Sequence, residues 1–218
     1  MEATYKEYLQ HLIEGNKMEC HRVIKEGLER GLKIKNLYNQ VFAPVMIHVG
    51  ELWQKNQFTV AQEHLATAIT QSVMSSLYYQ LFHETQAKRK GKILLTCPGN
   101  ELHEMGVRML ADLMEMDGWN VIYLGANMPS FSVMEMIEKE QPDIVGVSCT
   151  MSFNLKHAKE LVEKIKERYE NLPIMVGGMV FNIDPTLIKY VGGDHYGKTF
   201  DETLELLDKL NLNKIKHE

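Results

Sequence analysis

The sequence predicts an α/β protein in two parts, an antiparallel four-helix bundle followed by a doubly wound parallel sheet. Three observations lead there. Residues 1–86 carry apolar side chains at helical spacing, with Pro44 as their single proline. From Lys92 onward, short apolar runs alternate with amphipathic stretches. The breaks between helical segments are short, as between Arg30 and Ile34. A spacing of three to four residues lays one apolar stripe along a helix. Alternating strand and helix patterns imply βαβ crossovers, and hence a parallel sheet.

In the first part, Tyr5, Tyr8, Leu9, Leu12 and Ile13 make the stripe of a first helix, which stops near Gly15-Asn16, a pair suited to a C-terminal cap. A second helix is expected over 17–30, ending at Gly31, and a third over 34–55. The fourth starts at Thr59, a good N-cap, and reaches about His83. Pro44 falls inside the third helix, where its missing N–H predicts a kink. Short connections make neighbouring helices antiparallel.

In the second part, residues 93–97, 121–124, 144–148 and 174–176 read as strands, with a weak fifth around His195-Tyr196. Helices are expected near 102–117, 130–140, 154–169, 184–191 and 200–210. The result is a flavodoxin-like (Rossmann-type) domain over 92–218, joined to the bundle at 1–86 by a linker at 87–91. Sheets of this kind bind ligands at the carboxyl ends of their strands.

Composition narrows the function. The net charge of -5 comes from 29 acidic and 24 basic residues dispersed along 218 positions. The short run Lys88-Arg89-Lys90 reads as a solvated linker, since so few charges release few counterions from a nucleic acid. Three cysteines, Cys20, Cys97 and Cys149, form no CxxC pair and no even framework, which fits a reducing cytoplasm. The first ten residues hold no apolar signal region, and no run approaches the ~18 apolar residues of a membrane span. The 14 methionines read as flexible core fillers.

The residues that carry chemistry follow the first strand: Pro98-Gly99-Asn100-Glu101-Leu102-His103-Glu104-Met105-Gly106 runs from strand into helix. Glu101-x-His103-x-x-Gly106 resembles the DxHxxG signature of cobalamin-binding domains, with glutamate in place of the usual aspartate. The resemblance implies that His103 is the lower axial ligand of cobalt, replacing the cofactor's own benzimidazole. A metal-bound histidine needs its second ring nitrogen held by a partner, and Glu101 is the candidate. Ser148, ending the third strand, resembles the serine that completes the family's relay. On an extended strand Ser148, Thr150 and Ser152 share one face. Gly177-Gly178, ending the fourth strand, resembles the place where the displaced nucleotide tail of the cofactor inserts, and Gly125 after the second strand is another family-like position.

In the bundle, Trp53 is separated by nine residues from Glu63-His64. A turn around Asn56-Gln57-Phe58 brings the end of one helix beside the start of the next, so the three cluster at one corner. The spacing is similar to that of the CarH-type adenosylcobalamin photoreceptors. This resemblance implies that the bundle caps the upper face of the corrin, with Trp53 packing where an adenosyl group sits and Glu63 and His64 bonding to it. The alternative for Trp53 is a core anchor, and for Glu63 a residue favoured by the helix dipole. Gln54 stands where the best-known light sensors have a second histidine, so capture of cobalt by two histidines is not expected.

The favoured reading is a stand-alone, adenosylcobalamin-dependent light sensor that signals by domain or oligomer rearrangement. The alternative is a corrinoid methyl carrier using methylcobalamin within a methyltransferase system. The segment from Val107 to Asp112 resembles the photoreceptor branch more than the carriers. A third reading, a module of the same architecture that has lost cobalamin, is opposed by the intact His103. The chain reads as a binding or sensor protein rather than an enzyme, because it offers no separate substrate domain. The expected partners are cobalamin, further copies of the chain in a homo-oligomer and an unidentified protein, with no direct DNA binding and no membrane.

Overall fold

The structure, a computed structural model, describes residues 1–84 and 90–215. Most of the expected linker, including Lys88 and Arg89, lies outside the described residues. Internal contacts divide the chain into two units, Met1–Glu84 and Thr85–Glu218. Among the described residues, no helix is long and apolar enough to cross a membrane.

The first unit is helical: α1 (Glu2–Ile13), α2 (Lys17–Glu29), α3 (Ile34–Leu37), a π segment (Tyr38–Phe42), α4 (Ala43–Gln54) and α5 (Val60–Glu84). The C-terminus of α1 closes as the sequence suggests: Gly15 takes a φ of +70° and the Asn16 N–H reaches back to the carbonyl of His11 at 2.8 Å. Asn16 also starts the next helix, its side chain accepting the Glu19 N–H. At the start of α5, Thr59 and Gln62 bond reciprocally: Thr59 N–H donates to Gln62 Oε1 at 2.9 Å and Gln62 N–H donates to Thr59 Oγ1 at 3.3 Å.

The single third helix expected over 34–55 is not uniform. Its central turn is π, with the Ala43 N–H donating to the carbonyl of Tyr38, five residues back. Pro44 follows immediately, in the first turn of α4. A proline ring crowds the carbonyl four residues before it and offers no N–H. A widened turn just ahead absorbs both demands, a common use of π segments. The same turn places Tyr38 and Phe42 in the core, where the Phe42 ring meets Tyr8 and Tyr38 edge-on at 5.5 and 5.4 Å.

The second unit is a five-stranded, all-parallel sheet in the order β2-β1-β3-β4-β5, comprising β1 (Lys92–Thr96), β2 (Asn120–Tyr123), β3 (Ile144–Ser148), β4 (Ile174–Gly177) and β5 (His195–Tyr196). Its helices are α6 (Met105–Met116), α7 (Ser130–Glu140), α8 (Leu155–Arg168), α9 (Met179–Ile183), α10 (Thr186–Val191) and α11 (Phe200–Ile215). Leu94, Val145, Val147, Ile174 and Val176 pack against α7, α8 and α10 in one core. Each such fully buried aliphatic side chain contributes about 2 kcal/mol. Helix α6 packs on β1 and β2, and α11 packs on α6.

Two sequence expectations change here. The helix expected over 184–191 is α10, Thr186–Val191, with Pro185 as its N-cap, and a further short helix, α9, precedes it over Met179–Ile183. The extended face expected to run from Ser148 through Thr150 to Ser152 ends with the strand. Ser152–Asn154 form a 3-10 turn instead, leaving Ser152 exposed and Asn154 buried.

Candidate functional site

Strands β1 and β3 are neighbours, with Thr96 paired to Val147, while their crossovers depart to opposite sides of the sheet. The crevice beyond their carboxyl ends is the topological switch point. The loop after β1 enters it and carries Glu101 and His103.

Glu101 is fully buried. Its Oε1 accepts the His103 N–H at 3.0 Å and His103 Nδ1–H at 2.6 Å. Its Oε2 accepts the N–H groups of Thr150 and Met151 at 2.9 and 3.0 Å, and Asn154 Nδ2–H at 3.2 Å. The longer glutamate therefore still reaches the imidazole, and the loops after β1 and β3 share one carboxylate. Burial acts to raise its pKa, but the bonds from the His103 ring, Met151, the His103 backbone and Thr150 outweigh it and hold the carboxyl at about 2. Glu101 is ionised at neutral pH, so His103 Nδ1 is the protonated nitrogen and Nε2 carries the lone pair. The His103 side chain is 48% exposed.

Ser148 stands at the end of β3, but its bonding partner is the Cys97 thiol rather than the Glu101 carboxylate. Thr150 contributes its backbone N–H, not its hydroxyl. The side chain that completes the bonding of Glu101 is Asn154, which sequence reasoning missed because the 3-10 turn that folds it back has no periodic signature. Cys97 and Cys149 lie buried beside Glu101. Burial and the Glu101 charge push both thiols up to about 12, so they remain protonated and are poor metal ligands.

The glycines of the expected site divide into two kinds. A Cβ on Gly178 would stand 2.1 Å from the Cys149 carbonyl oxygen, and its φ is +109°. This glycine is demanded by the close approach of the β4 end to the β3 end. A Cβ on Gly106 or Gly177 would meet nothing within 4 Å. Gly178→Ala is expected to destabilise the protein by about 3 kcal/mol, whereas Gly106→Ala in the cofactor-free protein stays within about 0.5 kcal/mol of wild type. Thermal unfolding of both variants checks the contrast.

In the helical unit, Asn56 with φ +55° ends α4, and the Gln57 N–H returns to the Leu52 carbonyl, so a five-residue turn leads into α5. Trp53 is half-buried and is not among the fully buried residues of the core. Glu63 Oε2 bonds to His64 Nδ1, and Glu63 Oε1 accepts the Thr67 hydroxyl at 2.8 Å. The His64 side chain is 74% exposed.

A flavodoxin-like sheet with one half-exposed histidine at its switch point, backed by a buried carboxylate, defines a class of single-histidine ligand sites. The chain belongs to the B12 binding domain family: that family's model matches residues 91–206, and a second model of the same description matches residues 4–78. It is a cobalamin-binding protein. It shares 30% identity over 142 residues with the HTH-type transcriptional repressor CarH of Myxococcus xanthus, covering 65% of this chain and 46% of that protein. It is 20% identical over 211 residues to a corrinoid protein of Desulfitobacterium hafniense, covering 94% of this chain and 95% of that one. The solved monomethylamine corrinoid protein of Methanosarcina barkeri superposes with a TM-score of 0.84 at 17% identity, over 96% of this chain and 99% of that chain. The chain thus spans under half the length of the first of these relatives and nearly all of the other two.

Proposed function

We propose that the chain holds adenosylcobalamin through His103 Nε2 and acts as a light sensor, changing its assembly when the adenosyl group is lost. The observation that carries the cobalt assignment is the Glu101–His103 unit. An ionised carboxylate with five donors holds His103 Nδ1–H and so leaves Nε2 as the ring nitrogen we assign to cobalt. Among the described residues, no group of three or more His, Cys, Asp or Glu side chains could hold a bare metal ion. A metal on His103 would bring most of its ligands with it, as a corrin does. Gly106 and Gly177, whose missing Cβ atoms answer to no protein contact, suit the approach of a bulky macrocycle.

Bound adenosylcobalamin supplies a photolabile Co–C bond. His103 holds the metal, Glu101 orients His103, and Trp53, Glu63 and His64 are the residues we assign to recognition of the adenosyl group. A half-exposed indole, a carboxylate and an imidazole are side chains that suit a ligand with one flat apolar face and several hydroxyls. The 30% identity to CarH favours this reading. The match along 95% of a corrinoid protein favours the second reading, a methyl carrier.

The experiment that separates them mixes the protein with adenosylcobalamin in the dark, filters it by size, illuminates it with green light and filters it again. The sensor retains the cofactor, changes its spectrum on illumination and shifts its elution volume. Retention with an unaltered elution volume, and equal or tighter binding of methylcobalamin, contradicts the sensor and favours the carrier.

A further inference from the structure

Asn100, immediately before Glu101, adopts the left-handed conformation with φ +65°, which costs a non-glycine residue about 1 kcal/mol. Three of its groups are tied to three other elements. Its N–H donates to Asn127 Oδ1 in the loop after β2 at 2.8 Å. Its carbonyl accepts Asn154 Nδ2–H at 3.2 Å. Its side-chain Nδ2–H donates to His157 Nε2 on the first turn of α8 at 2.9 Å. Asn127, itself at φ +55°, donates its own N–H to the Glu101 carbonyl at 2.9 Å. The backbone is thereby held at the Asn100 N–H, the Asn100 carbonyl and the Glu101 carbonyl. None of these bonds except that of Asn154 coincides with the set that fills the Glu101 carboxylate.

We propose that His157 and Asn100 form a positioning pair that fixes where the Glu101–His103 unit stands and so sets how firmly His103 holds cobalt; this rests on the reading of His103 given above. The loop from Pro98 to Glu104 has no regular structure of its own. An irregular loop keeps a ligand within the ~0.5 Å that a preformed site demands only if a rigid element holds it. Helix α8, packed on β3 and carrying Leu161, Val162 and Ile165 into the core, is such an element. His157 presents it to the loop as one acceptor. Receiving the Asn100 amide at Nε2 leaves the proton on Nδ1, which faces Glu160 Oε2 at 3.8 Å.

The test uses His157→Ala, Asn100→Gly and His157→Gln, with the affinity for adenosylcobalamin in the dark and the absorbance of the bound cofactor as readouts. Glycine accepts the positive φ while removing the amide, and a glutamine oxygen replaces the Nε2 acceptor. His157→Ala and Asn100→Gly are each expected to weaken binding about tenfold and to move the bound spectrum toward the base-off form. Their combination is no worse than either alone, and His157→Gln stays close to wild type. Wild-type spectra and affinities in both truncations overturn the proposal, as does a His157→Gln variant that behaves like His157→Ala. If His157→Ala does not fold, Asn100→Gly decides alone. A wild-type spectrum that His103→Ala leaves unaltered overturns the reading of His103, and this inference with it.

Discussion

Replacing His103 with alanine is expected to leave cobalamin bound in a base-off form and to weaken its binding at least about tenfold. The size of the effect follows from the neighbours. Cys97 and Cys149 are buried and held as thiols, so neither supplies a thiolate. His157 Nε2 is engaged by Asn100. None of these three groups is therefore expected to replace the imidazole. The half-exposed ring contributes little to the core, so the cofactor-free variant keeps most of its stability. Absorbance of the loaded protein and titration with cobalamin read the two parts separately.

Replacing Glu101 with alanine is expected to produce the largest loss of stability of any substitution at the site, about 4 kcal/mol in the cofactor-free protein. The carboxylate serves five donors, three of them backbone N–H groups of His103, Thr150 and Met151. Alanine removes the acceptor and uncouples the loops after β1 and β3. The wild-type group also predicts a pH dependence. Its folded pKa of about 2 lies below the ordinary carboxyl value of 4.5, so its contribution is complete above about 4.5 and is lost as pH falls toward 2. Denaturant unfolding across that range should show a steeper acid loss in wild type than in Glu101→Ala. Parallel curves would contradict an ionised, bonded Glu101.

Much of the α/β unit was legible in the sequence because parallel strands buried on both faces read as unbroken apolar runs. The span of β3 over 144–148 and even the two-residue β5 at His195-Tyr196 stand where the runs predicted. Helix α9 was not legible, since five residues after a glycine pair carry no helical period. The π segment before Pro44 was read only as a kink, because a kink and a widened turn are equivalent answers to the same missing N–H and only packing around Phe42 selects one.

At the site, Glu101 and His103 were readable through their resemblance to the DxHxxG signature, and their two-residue spacing lets the carboxylate reach the imidazole on one tight loop. Asn154 was hidden for the reason that misplaced Ser152. An alternating reading of 148, 150 and 152 assumes that the strand continues, and the chain instead turns at Ser152 and brings Asn154 beneath Glu101. Trp53, Glu63 and His64 were singled out by a spacing similar to that of the CarH-type photoreceptors. Their degree of exposure is a property of packing, which the spacing does not carry.

The proposed function has the protein's own histidine, not the cofactor's benzimidazole, as the ligand of cobalt. It is tested most directly by electron paramagnetic resonance of the bound, one-electron-reduced Co(II) cofactor in protein carrying nitrogen-15 histidine. Axial ligation by His103 predicts that each superhyperfine triplet of the unlabelled sample becomes a doublet on labelling. A triplet unchanged by the label would mean that the axial nitrogen belongs to the cofactor itself, and would contradict the account.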